Sequence, residues 1–468
     1  MASGSSANVS RRGVLRAGVL GAVGLTLPEL LQSERPAVGG ERTVSASRKG
    51  QAKSCIFIHQ YGGLSQLDSW DPKPNAPKEV RGPYLPIATA TPGFQVGELM
   101  PRLARLSESY CVIRSMSHHV PVHDVANKML LGGSDAPASD APAFGSVVTK
   151  LKPSTENIPS YVWLQKFGGG AAPPEATYLT GGFLGMGHAP LVIGHGHEDN
   201  PATEGFRVQA FDTASDVSLQ RLQSRWQLRQ QLEPVLHQGS LDRPATFEQF
   251  QHRAYDLLHG ERARVAFDVT QEPQSMRDRY GRNPMGQNLL LARRLVEAGV
   301  RLVSVVAWTG LAPGDKFMSL ETWDMHGNAG IGIFDNGWNG LGWALPRADQ
   351  SVAALLEDLK DRGLLESTLV VLVGEFGRTP RISNGAKAIG RDHWPNCYSA
   401  MVAGAGIRGG NIIGRSDEQA AYVQDRPVSL ADFTSTLYHA LDIPPATRLS
   451  PDNFTRPASE GTPMRDLF

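Results

Sequence analysis

The sequence predicts an α/β fold, with a mostly parallel central sheet, helices on both faces and one helical insertion. Three observations point there. Short apolar runs bounded by turn residues recur at Ser54–Ile58, Tyr110–Ile113, Tyr161–Leu164, Val300–Ala307, Thr368–Val373 and Tyr398–Ala403, as buried strands do. Helical patterns separate several of these runs, and helix alternating with strand implies parallel neighbours. A hydrophobic fraction of 41% over 468 residues is enough for one large core.

The elements follow in order. Residues 1–37 read as an export address: Arg11-Arg12 precedes a weakly hydrophobic stretch from Ala17 to about Leu31, in the pattern of a bacterial twin-arginine signal. Pro28 and Glu29 interrupt that stretch before the roughly twenty apolar residues a membrane span needs. The partner this implies is the twin-arginine translocase, and the place is the periplasm or cell envelope. Membrane contact is expected only through an uncleaved signal. Residues 38–50, small and polar, read as a linker, and 51–450 as the α/β domain.

Within that domain, Leu289–Ala298 and Asp432–Leu441 are helical. Val352, Leu355, Leu356 and Leu359 repeat at i, i+3, i+4 and i+7, with Gly363 placed to end that helix. Residues 207–260, rich in Gln, Leu and Arg, read as the helical insertion, and 451–468 as a C-terminal tail.

Charge and cysteine content exclude several functions. The 46 basic residues balance 46 acidic ones, so the basic footprint of a general nucleic-acid binder is missing. Cys55, Cys111 and Cys397 have no CxxC or Cys/His zinc spacing, and the first two sit in strand-like runs as small core residues. Neither a GxSxG elbow nor a Walker motif is present.

The polar clusters fall beside the strands, where ligands sit in open α/β sheets. Asp324 and His326 are two apart, so on extended backbone both side chains face one way and grip one divalent cation, with a distant His393 completing a three-ligand site. The alternative is a histidine held by its neighbouring carboxylate for loop rigidity. Glu375 and Arg378, on a Gly-hinged loop, read equally as ligand or base with an anion clamp, or as an internal ion pair. Asp68 and Asp71 are ligand candidates, although Ser-x-x-Asp and Asp-Pro also build turns. His195-Gly196-His197 has ligand-like spacing in a loop whose composition suggests surface.

Taken together and in this order, four motifs resemble the exported bacterial family called domain of unknown function 1501. They are Gly62-Gly63-Leu64-Ser65-Gln66-Leu67-Asp68-Ser69-Trp70-Asp71-Pro72-Lys73-Pro74, Trp323-Asp324-Met325-His326-Gly327, Gly374-Glu375-Phe376-Gly377-Arg378-Thr379-Pro380 and Gly390-Arg391-Asp392-His393-Trp394. The resemblance spans about Ser54 to Pro444. It implies kinship with the alkaline phosphatase and sulfatase superfamily, and so hydrolysis of sulfate or phosphate esters at a divalent metal (zinc, manganese or calcium).

The ligand set expected is then Asp68, Asp324, His326, Asp392 and His393, with Glu375, Arg378 and His123 as catalytic candidates. Two departures stand out. Phe376 replaces the histidine of the superfamily's Asp-His pair, and the stretch His123–Gly133 begins with His123-Asp124 where the superfamily has its nucleophile. The rival expectation is therefore a catalytically silent cell-envelope binding protein on the same fold.

Overall fold

The computed structural model describes residues 52–156, 158–168, 178–208, 211, 219–237, 261–385, 387–449 and 456–468. The expected export signal and linker lie outside the described residues. Among the described residues, no helix is long and apolar enough to cross a membrane.

Eight strands form the central sheet: β1 (Ser54–His59), β2 (Tyr110–Met116), β3 (Tyr161–Leu164), β4 (Leu191–Ile193), β5 (Leu302–Val306), β6 (Thr368–Val373), β7 (Tyr398–Ala403) and β8 (Ile412–Ile413). Their order is β8-β2-β7-β6-β1-β5-β3-β4. All six expected strands are present. The two additions, β4 and β8, are edge strands too short to leave a periodic signal in sequence.

Central β1 pairs parallel with β5 and with β6. Only β7 is reversed, running antiparallel to both β2 and β6. Ribbons rather than a crossover helix connect β6 to β7, so the chain returns beside β6 in the opposite sense.

Alternation along the strands divides the core in two. Ile56, Ile58, Val303, Val305, Val370 and Leu372 face α4 (Pro284–Glu297) and α5 (Leu341–Asp361). Cys55, Phe57, Leu302, Val371 and Val373 face α1 (His123–Gly132), α2 (Phe144–Leu151) and α6 (Leu430–Ala440). Apolar side chains on both faces explain why the strand runs read as continuous rather than alternating.

Local signals account for the helix ends. Asn283 caps α4 through a bond from the Gly286 N–H, with Pro284 in the first turn. The hydroxyl of Ser429 accepts from the Asp432 N–H at the start of α6. Gly363, at φ +66°, ends α5: its N–H reaches the Lys360 carbonyl and that of Leu364 reaches Leu359, a Schellman motif. All three cysteines are buried and free.

Within the expected insertion, α3 (Leu219–His237) is helical, and 238–260 lie outside the described residues. The residues set apart as a tail are, from Arg456 onward, bonded along α6. Thr462 N–H reaches Asp432, Met464 N–H reaches Thr436, and Leu467 is buried.

Candidate metal centre

Four loops meet at one edge of the sheet. The carboxyl end of β1 leads into Gly62-Gly63, that of β2 into His118–His123, that of β5 into the loop with Asp324 and His326, and that of β6 into Glu375–Arg378. Because β7 is reversed, its amino end lies at the same edge. The segment before it, paired as His393↔Arg378 and Trp394↔Gly377, therefore delivers His393 there.

Gly62 and Gly63 allow the approach. Both have positive φ, and a side-chain carbon on Gly62 would stand 2.3 Å from the Asp324 nitrogen. The pair is a close-packing device and not a phosphate loop.

Asp324 is the hub. Its Oδ1 lies 3.1 Å from His123 Nε2, 2.9 Å from His326 Nε2 and 3.3 Å from His393 Nε2. One donor atom from each of the four residues falls within 4.8 Å of the others. Each imidazole is tied on its far side. His123 Nδ1 lies 2.6 Å from Glu375 Oε1, His326 Nδ1 2.8 Å from Asp392 Oδ1 and His393 Nδ1 2.8 Å from the Pro121 carbonyl. An acceptor at Nδ1 places a proton there and turns the Nε2 lone pair inward, which is how proteins prepare histidines for a metal. The aromatic ring of Phe376 packs against His123 and His393, at 4.8 and 4.6 Å between centroids.

Charges at the centre are strongly coupled. Burial would raise the Asp324 carboxyl, but the Arg378 guanidinium and the three imidazoles outweigh it and hold the group well below the usual range. Glu375, fully buried, is likewise held low against its burial by the hydrogen bond to His123 and by the His59 ring 3.6 Å away. Burial pushes the His123 ring down, yet the carboxylates of Asp324 and Glu375 on its two nitrogens raise it to about 9. His393 is lowered, chiefly by burial.

The structure brings Asp324, His326 and His393 together as expected and adds His123, a catalytic candidate, to their circle. Asp324 and His326 meet from an irregular loop and not from extended backbone. Asp392 stands behind His326, orienting it. Glu375 stands behind His123 and accepts the Gly62 N–H at 2.9 Å.

Three candidates need correction. Asp68 is not at the centre: its carboxylate is buried against Arg391 at 2.9 Å and the Ser65 hydroxyl at 2.5 Å, the turn that Ser-x-x-Asp builds. Asp71 is likewise committed elsewhere, to Lys73, Arg114 and Ser416. Arg378 is no free anion clamp and does not pair with Glu375. Fully buried, it donates to the carbonyls of Gly62, Gly63 and Arg391 and at 2.7 Å to Asp324. His197 stacks on Phe317 at 3.9 Å and takes no part.

Two contributors, the Pro121 carbonyl and His59, carried no sequence signal, and a third, His118, stood in the polar cluster from Arg114 to Asp124 without an assigned role. The Pro121 carbonyl is backbone. His59 ends β1 with its Nε2 3.6 Å from Glu375 Oε2. His118 links two loops, its Nε2 lying 2.6 Å from the Glu375 carbonyl while its Nδ1 accepts the Val120 N–H.

A family model described as "Protein of unknown function (DUF1501)" matches residues 52–463. No curated protein matches the chain. Among solved structures, an alkaline phosphatase from the Antarctic bacterium TAB5 is 11% identical with a TM-score of 0.37, covering 84% of this chain and 99% of that one. A phosphonate monoester hydrolase from Silicibacter pomeroyi is 13% identical with a TM-score of 0.35, covering 89% and 76%. The PsFucS1 sulfatase from Pseudoalteromonas sp. is 11% identical with a TM-score of 0.35, covering 85% and 68%.

Proposed function

We propose, since this chain belongs to the DUF1501 family and carries the centre just described, that it is a metal-dependent hydrolase of phosphate or sulfate esters. One observation supports this reading above the rest: three imidazole nitrogens and one carboxylate oxygen converge, each imidazole already turned by a partner at Nδ1. The substrate class comes from the sequence resemblance. The donor set fits a cation. Nitrogen-rich donors suit zinc or manganese better than calcium, which takes six to eight oxygens. Asp324, His326 and His393 would hold it, with His123 facing the remaining position. Such a cation supplies Lewis acidity, activating water and polarising an ester oxygen.

The chain's own residues do the rest. Arg378 keeps Asp324 ionised. Glu375, Asp392 and the Pro121 carbonyl keep the three rings from turning. Phe376 screens the rings of His123 and His393 with apolar surface. The test is hydrolysis of aryl phosphate and aryl sulfate with added zinc, manganese or calcium. Turnover that depends on metal and disappears in His393→Ala is the expected result.

One observation favours the second reading, a catalytically silent binding protein: Arg378 is fully buried and commits four of its five N–H donors inside the protein. No turnover with any of the metals, alongside measurable phosphate or sulfate binding, would make that reading the better one.

Export through the twin-arginine route is part of the same proposal and rests on Arg11-Arg12. Replacing both with Lys keeps the charge but removes the guanidinium pair, and the double variant is expected to stay in the cytoplasm. Its normal export would refute the address.

A further inference from the structure

We infer, resting on the hydrolase reading above, that His123 is the nucleophile of this centre, and that its Nε2 takes the phosphoryl group of a phosphate monoester. The three histidines are not equivalent. His326 is oriented by Asp392, which is 58% exposed, and His393 by a neutral carbonyl. Only His123 has a fully buried carboxylate behind it, Glu375, which is fixed by the Gly62 N–H at 2.9 and 3.2 Å. An imidazole with a proton on Nδ1 and a phosphoryl group on Nε2 carries positive charge on the ring. A buried carboxylate 2.6 Å from Nδ1 is the counter-charge that species needs.

His123 is also the histidine the cation can spare. Asp324, His326 and His393 by themselves make a three-ligand site with an open position. Among the described residues, the side-chain hydrogen bonds of the four clustered groups go to Glu375, Asp392, the Pro121 carbonyl, Arg378 and one another, and none to a hydroxyl. Within the cluster, the His123 imidazole is the side chain placed to act as a nucleophile. His123 opens α1, a ten-residue helix whose positive end favours an anion beside it. Phosphoryl transfer passes through a loose transition state that asks positioning more than strength of its nucleophile, which is why a phosphate monoester is the substrate assigned.

Starting from the neutral ring, with its one proton on Nδ1, the Nε2 lone pair forms the N–P bond as the ester P–O bond breaks, and the leaving oxygen keeps the pair of that P–O bond and takes a proton from water. The hydroxide so formed attacks phosphorus, the P–N bond breaks, and its pair returns to Nε2. The sum is ester plus water giving alcohol plus phosphate.

The experiment uses the metal-loaded full chain and an aryl phosphate labelled with 32P, quenched within the first turnover. One phosphoryl group per chain is expected, labile in acid and stable in alkali, mapping to His123 by mass spectrometry. His123→Gln should lose the label while still unfolding in one cooperative transition and binding one metal ion. Glu375→Gln should label at least tenfold more slowly. Turnover without label, label on another residue, or inversion at a chiral thiophosphate would overturn this inference and leave the hydrolase reading standing. A folded His123→Gln that binds no metal would overturn it too, because His123 would then be an indispensable ligand. Absence of both turnover and label with every metal would refute the hydrolase reading, and this inference with it.

Discussion

His123 and Arg378 show how much of a residue's part is set by its partners. In the metal-free protein, His123 lies between two carboxylates that raise it from an ordinary 6.5 to about 9. A raised folded value means the protonated ring is bound more tightly in the native state. That stabilisation is complete below about pH 6.5 and is lost as pH rises through about 9. At roughly 1.4 kcal/mol per pK unit it is at most about 3.5 kcal/mol. Denaturant unfolding of chelated protein should thus show lower stability at pH 9.5 than at pH 6, and His123→Gln should flatten the difference. A flat wild-type profile would show that Asp324 and Glu375 do not hold that proton. Arg378 was legible as a cation on a hinged loop. Its commitment to backbone carbonyls was not, because those carbonyls belong to Gly62 and Gly63, 316 and 315 residues away.

At the scale of elements, the centre depends on loops from separate strands approaching at backbone distance. Gly62 is where β1's loop meets the Asp324 loop, and Gly390 lies equally close to the backbone of His326. Gly62→Ala should therefore be costly twice: once for φ +110°, on the order of 1–3 kcal/mol, and again for a contact with the Asp324 nitrogen that backbone cannot yield. Its metal affinity should fall at least tenfold. Gly93→Ala is the control, with φ +79° and nothing within 4 Å, so it bears the strain alone and should leave metal affinity unchanged. Calorimetric metal titration of both variants separates the two effects. Equal affinities would show that the loop approach is not what shapes the site.

On the scale of the whole molecule, donors from three separated segments of the chain, at His123, at Asp324 with His326, and at His393, would make a bound cation a staple of the whole fold. A cation at about a hundred times its dissociation constant adds roughly 2.7 kcal/mol to the folded state. Chelation should accordingly lower the melting temperature of the wild type and leave that of His326→Ala unmoved. A wild type with no bound metal and an unchanged melting curve would leave these histidines a structural role only.

Much of this was readable in the sequence. Strands buried on both faces write themselves as unbroken apolar runs, and Thr368–Val373, Tyr398–Ala403 and Tyr161–Leu164 are found where those runs lie. Asp324, His326 and His393 were recognisable because metal-ligand residue types beside strands are chemically distinctive. Other features were decided only by tertiary structure. Asp68 looks as good a ligand as Asp324 until Arg391, 323 residues away, is seen to occupy it. His393 reaches the centre only because β7 runs backward, and strand direction leaves no mark on a hydrophobic run. The physical reason is common to both: hydrophobic pattern and residue chemistry are local properties, while the partner that uses up a charge is set by which loops the sheet order brings together.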